Sequence, residues 1–191
     1  QSVPLEGISA INVSYHSDRL VLGTSPDNTL IVNEYFKKGV APSAFARISV
    51  GGGRVTVKTG TRFMMVWPAT RIEILLPAGW GGSLQLSTIS GSIQSESAWR
   101  LSSLQAKSVS GKIQLEDVSA GMMRRSSTSG SILLGRAAGN MELSSVSGSV
   151  KVEHAEGLGS FKSTSSSIRV NFAALAGPVE ASTVSGGVRL N

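Results

Sequence analysis

The chain contains no cysteine, so no disulfide framework holds it together. It has only two histidines, His16 and His154, and three aspartates, Asp18, Asp27 and Asp117, each isolated from the others. No HxxxH pair, Cys-His set or carboxylate cluster accompanies them, which excludes the familiar sequence patterns of a metal centre. We expect no metal and no cofactor. No apolar run approaches the roughly 18 residues that a helix needs to cross a bilayer; the longest, residues 63–67 and 72–77, are strand-sized. Charged residues make up 16% and aromatics 5% of the chain, and the basic residues are scattered, adjacent only at Lys37-Lys38 and Arg124-Arg125. Without basic stretches interleaved with aromatics, nucleic acid is not an expected partner, although a net charge of +6 leaves weak attraction to anionic polymers open. The chain opens at Gln1 without Met, so we expect an upstream segment to have carried any secretion signal or anchor.

What is abundant is Gly, Ser and the β-branched residues, and they are placed with a period. Ser-Gly-x-(Ile/Val) occurs at Ser90-Gly91, Ser110-Gly111, Ser129-Gly130, Ser147-Gly148 and Ser185-Gly186, with a degenerate copy at Ser165-Ser166. The anchors Gly91, Gly111, Gly130, Gly148, Ser166 and Gly186 are separated by 20, 19, 18, 18 and 20 residues. A period near twenty, with apolar alternation inside it, marks a repetitive β architecture in which neighbouring repeats complete one another's core.

With each anchor as position zero, position +2 reads Ile93, Ile113, Ile132, Val150, Ile168, Val188, and position −7 is led by Leu84, Leu104, Met123 and Met141. Positions −7, −5, −2, +2 and +4 are mainly apolar, with Arg125 an intruder at −5. This is the period-two signature of half-buried strands. The inward parity changes once per repeat, because −7 and −5 are odd while −2, +2 and +4 are even. A one-residue slip reverses every side chain, so a bend or bulge is expected near −4 or −3, dividing each repeat into two short strands. The anchor glycine falls on the inward parity. Either the core is too narrow there for a side chain or the backbone needs positive φ, and Ser166 in the degenerate copy favours the first. Hydroxyls fill position −1 in every copy and position −3 as Thr88, Ser108, Ser127, Ser145, Ser163 and Thr183. They are expected to serve tight corners and local turn bonds rather than a ligand.

A contour of roughly 60 Å per repeat fits two strands and two turns, with room for a third short side. The expected fold is all-β: a flattened β-solenoid of stacked coils of 18–20 residues, with right-handed crossovers. Residues 1–191 read as one domain, with 1–82 an irregular N-terminal β cap and 83–191 the six repeats. Within the cap, Ile48 and Val50 with Val55 and Val57 flank Gly51-Gly52-Gly53 as a strand pair or a kinked coil. The final coil ends one residue past position +4, an open edge that invites pairing, so a homo-oligomer through the C-terminal coil is one expectation.

The segment Leu76-Pro77-Ala78-Gly79, followed by Leu84-x-Leu86-Ser87-Thr88-Ile89-Ser90-Gly91-Ser92-Ile93 and the later Val-Ser-Gly units, resembles the bacterial "putative adhesin" β-strand-repeat domains of unknown function. The resemblance covers residues 72–191 well and lies in the serial order of short motifs. It implies an all-β solenoid-like domain located in the cell envelope or outside the cell.

Catalysis finds little support. Glu96 and Glu116 share position +5 one coil apart, but Gly135 breaks the column, and no Gly-x-Ser-x-Gly or phosphate-binding loop occurs. The candidate interaction surface combines large apolar side chains in an aromatic-poor chain, Trp67, Trp80 and Trp99, with Arg124 and Arg125. Arg125 is nominally inward; a bulge is expected to turn it out, because an inward Arg needs a partner. The function expected is a non-catalytic cell-envelope or extracellular interaction domain, adhesin-like, with a protein or glycan at the cell surface as partner. The alternatives are a self-assembling structural or envelope-sensing module and, remotely, a polysaccharide-active enzyme.

Overall fold

The computed structural model describes residues 1–37, 39–61 and 71–191 of the chain. Among them there is no α-helix; one 3-10 turn spans Pro42–Ala44. The architecture is a β-solenoid of about six turns. The regular coils are carried by β9 (Ile93–Ser108), β10 (Ile113–Ser127), β11 (Ile132–Ser145), β12 (Val150–Ser163), β13 (Ile168–Thr183) and the short β14 (Val188–Leu190). Each pairs in parallel with the next, so that like positions stack: Ile93, Ile113, Ile132, Val150 and Ile168 form one buried column. Burying such a side chain is worth about 1.5–3 kcal/mol, and every coil repeats it.

The expected pair of short strands per repeat is replaced by one long run of paired backbone. Its inward parity breaks three times, not once. In β10 the buried residues are Ile113 and Leu115, then Val118 and Ala120, then Met123, Arg125 and Ser127. Two successive residues face out at each change, Glu116-Asp117, Gly121-Met122 and, after the strand, Thr128-Ser129. Register shifts in β10 fall at the first two of these corners. Each coil is therefore three-sided, using the third side for which the contour left room.

The corner at the Ser-Gly motif lies one step later than the sequence reading placed it. Position −3 is the last inward residue and is buried in Thr88, Ser108, Ser127, Ser145 and Ser163. Position −2, read as a core column, faces solvent: Ile89, Val109 and Val146 are 48, 45 and 47% exposed. The reason is the hydrogen bonding of the corner. The buried −3 hydroxyl accepts the N–H of its own anchor glycine, as in Ser108 to Gly111 at 2.8 Å, Ser127 to Gly130 at 2.8 Å and Ser145 to Gly148 at 2.9 Å. It also reaches the preceding coil, Ser108 donating to the Gly91 carbonyl and Ser145 to that of Gly130, each at 3.3 Å. An apolar side chain at −3 would leave those buried polar groups unmatched.

The anchor glycines have no positive φ. A Cβ on Gly111 would collide with the carbonyl of Gly91, one on Gly130 with that of Gly111, and one on Gly148 with that of Gly130. The requirement is close stacking of backbone on backbone. At the degenerate anchor Ser166 sits half-buried instead of buried, and the Ser163 hydroxyl below it has no hydrogen-bond partner.

The cap continues the stack out of sequence order. β2 (Ala10–Ser14) and β3 (Leu20–Ser25) form a coil lying on β8 (Ser83–Thr88) and the start of β9, in parallel register. Asp18 takes the anchor place there, its carbonyl facing Gly91. β6 (Arg54–Lys58) and β7 (Arg71–Pro77) lie on β2 and β3 in turn. Only then does pairing become antiparallel. β5 (Arg47–Gly51) turns onto β6 through Gly52 and Gly53, both at positive φ, while β4 (Thr29–Tyr35) pairs β7 and β1 (Ser2–Pro4) pairs β4.

Candidate functional site

The residues expected to mark an interaction surface are mostly interior. Trp99 is 1% exposed; its indole N–H donates to the buried Ser95 hydroxyl at 2.8 Å, and that hydroxyl donates to the Leu22 carbonyl at 3.3 Å. Trp80 is 8% exposed and its N–H reaches the Ile8 carbonyl at 3.2 Å. Both indoles fill the junction between cap and first coil, because each finds an acceptor there and loses its large apolar area to the core. Trp67 lies outside the described residues.

Arg124 is exposed and paired to Glu142 on the next coil at 2.8 Å. Arg125 does not turn outward. It stacks in register between Ala106 and Leu143, with no bulge at that point, and is 1% exposed. None of its guanidinium nitrogens has a hydrogen-bond partner, and burial pushes its pKa down to about 9. The local reason for the inward orientation is the unbroken parity from Met123 through Ser127: Arg124 and Ser126 are the outward residues of that run, and 125 has no outward place to take.

The surface the structure does present begins at the Ser-Gly corner. Every coil places two adjacent side chains there in solvent, a β-branched residue at −2 and a serine at −1. The column runs Ile89, Val109, Thr128, Val146, Thr164, Val184 beside Ser90, Ser110, Ser129, Ser147, Ser165, Ser185. The backbone fixes the ladder: the N–H of Ser110, Ser129, Ser147, Ser165 and Ser185 each donates to the −2 carbonyl of the coil before, at 2.8–2.9 Å. Like side chains thus stand about 4.8 Å apart along the axis. The sequence reading found these residues but assigned −2 to the core; its signal was ambiguous because Ile and Val serve equally in a core and at an extended corner.

Beside the ladder lies a hollow of about 460 Å³, lined among others by Ser126, Ser144 and Lys162 on one wall and Thr128, Val146 and Thr164 on the other. The buried hydroxyls Ser127, Ser145 and the unpartnered Ser163 also line it. A second hollow of about 410 Å³ shares Ser144 and Lys162 with the first and adds Met122, Leu158 and Pro178. The two adjoin along the outward face of the last third of coils β10 to β13. Glu142 and Glu180 line the second hollow too, two coils apart. Glu142 pairs with Arg124, and Glu180 lies 3.9 Å from Lys162 and accepts the Ser160 hydroxyl at 3.4 Å. Both carboxylates are exposed and matched to donors.

His16 takes part in the first corner through its carbonyl, which accepts from Ile89 and Ser90, and His154 stands exposed on a different corner. No group of three or more His, Asp or Glu side chains able to hold a metal ion occurs among the described residues. No helix among them is long and apolar enough to cross a membrane.

A right-length repeat, a corner glycine stacked on the carbonyl before it, and a solvent-facing ladder define a β-solenoid repeat domain whose regular surface lies at its corners. Residues 31–191 match the model of the Toastrack DUF4097 family, and the chain belongs to that family, a domain of unknown function. Its fold is similar to a crystal structure described as a "putative cell adhesion protein" from Clostridium sporogenes, at 10% identity and a TM-score of 0.48, covering 100% of this chain and 97% of that one. No curated protein matches the sequence.

Proposed function

We propose that the protein is a non-catalytic interaction domain of the cell envelope or the extracellular space, adhesin-like in that it holds a surface component without transforming it. The observation that carries this reading is the corner ladder. Every coil exposes one β-branched side chain and one serine hydroxyl in the same place, at a spacing fixed by backbone hydrogen bonds. A globular surface has no need to repeat an exposed β-branched residue at a fixed interval, whereas a repetitive ligand is matched by one. The test is binding of the purified protein to arrays of glycans, matrix proteins and cell-wall fractions. Val109→Glu with Val146→Glu, both at exposed positions, should abolish the capture while leaving the β-rich circular dichroism intact. Failure of the unaltered protein to bind any of these components would remove the reading.

Self-assembly is a second reading, and one observation favours it. β14 pairs with residues 168–170 of β13 and Asn191 bonds to Asn171 and Phe172, so β13 from residue 173 onward pairs with no later strand among the described residues. Val179 and Ala181 there are only partly buried, and Leu175 is exposed. Edges of this kind template pairing with another chain. Sedimentation at increasing concentration tests it: a monomer throughout would rule out assembly through this edge.

A further inference from the structure

The charge of the Ser-Gly corner is one-sided. Taking positions −4 to +3 in each repeat gives residues 87–94, 107–114, 126–133, 144–151, 162–169 and 182–189. These windows contain Lys107, Lys112, Lys151, Lys162, Arg169 and Arg189 and not one acidic residue, although the chain has 12 acidic residues. The corner therefore carries an excess of six cations, which equals the net charge of +6 of the whole chain. Lys151 is paired to Glu153, and Lys162 lies 3.9 Å from Glu180. Lys107, Lys112, Arg169 and Arg189 are exposed, and their side chains make no ion pair or hydrogen bond among the described residues.

Chance placement on a solvated face would mix signs, as the neighbouring −6 column does with Arg124, Glu142 and Glu180. Between the cations the strip offers the −1 serines, the β-branched −2 column and the hollow lined by Ser163, whose buried hydroxyl lacks a partner. The strip contains no Phe, Tyr or Trp, so it has no platform on which nucleobases could stack. Six anchors span five intervals, about 24 Å along the axis.

Resting on the interaction reading above, we propose that this strip binds a linear, hydroxyl-rich polyanion, an acidic polysaccharide or polyol-phosphate chain laid parallel to the solenoid axis. The cations match its carboxylate or phosphodiester charges. The exposed −1 serine hydroxyls match its own hydroxyls, and the β-branched column meets the apolar faces of its repeating units.

The probes are polygalacturonate and poly(glycerol phosphate), with neutral dextran and single-stranded DNA of similar length for comparison. Binding is measured to the intact protein at low and high salt. The variant Lys107→Ser, Lys112→Ser, Arg169→Gln copies residues already present at the same repeat positions in other coils, namely Ser126, Ser131 and Gln114. A charge-matched control, Lys37→Ser, Arg54→Ser, Lys58→Ser, removes three exposed cations from the cap. The expected result is binding of at least one of the two polyanions that weakens with salt, is lost by about tenfold or more in the strip variant and changes by less than about twofold in the control. Which polyanion binds identifies the source. Equal loss in both variants, equal affinity for DNA, or binding of dextran alone would overturn the proposal. If neither polyanion binds while the array still captures another surface component, the polyanion assignment falls and the interaction reading stands.

Discussion

Glycine does two different jobs at the two ends of this molecule. In the repeats, Gly111, Gly130 and Gly148 sit on ordinary backbone and are required because the carbonyl of the previous coil occupies the place of a side chain. In the cap, Gly52 has φ of 56° and no atom near its missing Cβ, so it is required by the turn and not by a neighbour. At the Ser-Gly corner the constraint is thus contact between layers, and at the β5–β6 turn it is local chain geometry. The distinction predicts how each responds to change. Gly130→Ala should cost about 3 kcal/mol or more, because neither coil's backbone can yield, whereas Gly52→Ala should cost about 1 kcal/mol, the strain of one left-handed residue. Urea unfolding of the two variants measures the difference. Equal costs would mean that the close stacking is not what selects glycine.

The next largest effect has the opposite sign. Arg125 brings a charge into the dry side of the repeats with nothing to answer it. Replacing such a buried cation by an apolar side chain of similar size removes a desolvation penalty, so Arg125→Leu or Arg125→Met should stabilise the protein by about 1–4 kcal/mol. The pH dependence follows from the direction of the shift. The guanidinium binds fewer protons in the folded than in the unfolded chain from about pH 9 up to its much higher ordinary value. The penalty is therefore complete below about pH 9 and is relieved as pH rises through that window. The stability difference between Arg125→Leu and the unaltered protein should be constant from neutral pH to about 9 and narrow above it. A destabilised Arg125→Leu protein would mean that the guanidinium has acquired partners in solution.

A smaller effect compares two coils that differ by one anchor. Ser127→Ala removes the acceptor of the buried Gly130 N–H and should cost about 1–2 kcal/mol. Ser163→Ala removes a hydroxyl that has no partner and should change stability by less than about 0.5 kcal/mol. Ser166→Gly would restore the regular corner, after which Ser163→Ala should become as costly as Ser127→Ala. Thermal denaturation of the four variants closes the cycle, and a persistent insensitivity at 163 would show that the anchor residue does not govern the hydroxyl.

These comparisons also explain which parts of the molecule were readable from the sequence. The coil length, the stacked +2 column and the steric need for the anchor glycine follow from spacing and residue size, and they correspond to the structure. The position of the corner did not follow, because hydrophobicity alone assigned Ile89, Val109 and Val146 to the interior. Its true marker is the hydroxyl at −3, which looks like surface in any polarity count and is buried because two backbone groups need it. Arg125 was misplaced for a related reason: charge argued for an outward bulge, while the parity of Met123 and Ser127 held the backbone straight. Trp80 and Trp99 stand out as interface candidates because aromatics are scarce, with filling of the cap and core edges as the other reading; the structure puts both inside, each indole with an interior acceptor that no local pattern announces. The cap gave its strands but not their order, since β2 and β3 stack on a coil more than sixty residues later in sequence.

The cap's own electrostatics supply the mildest contrast with the repeats. Glu73 on β7 accepts from the Tyr35 hydroxyl at 2.8 Å and from Asn33 at 3.2 Å, and lies 2.6 Å from Arg71. The Tyr35 bond chiefly holds its carboxyl below the ordinary carboxylate pKa; burial, the next largest effect, opposes it, and Asn33 and Arg71 add smaller lowering effects. A carboxyl depressed in this way contributes its stability above the normal carboxylate range and loses it as pH falls through the lowered value. The cluster is near the surface, where water and salt screen it, so Glu73→Gln should cost only a few tenths of a kcal/mol at neutral pH. That cost should vanish in acid, whereas the effects of Gly130→Ala and Ser127→Ala, which come from packing and neutral hydrogen bonds, should persist there. If Glu73→Gln matched the corner variants in size, the antiparallel layers would depend on this cluster as the coils depend on their corners, and the division between contact-governed repeats and locally governed cap would not hold.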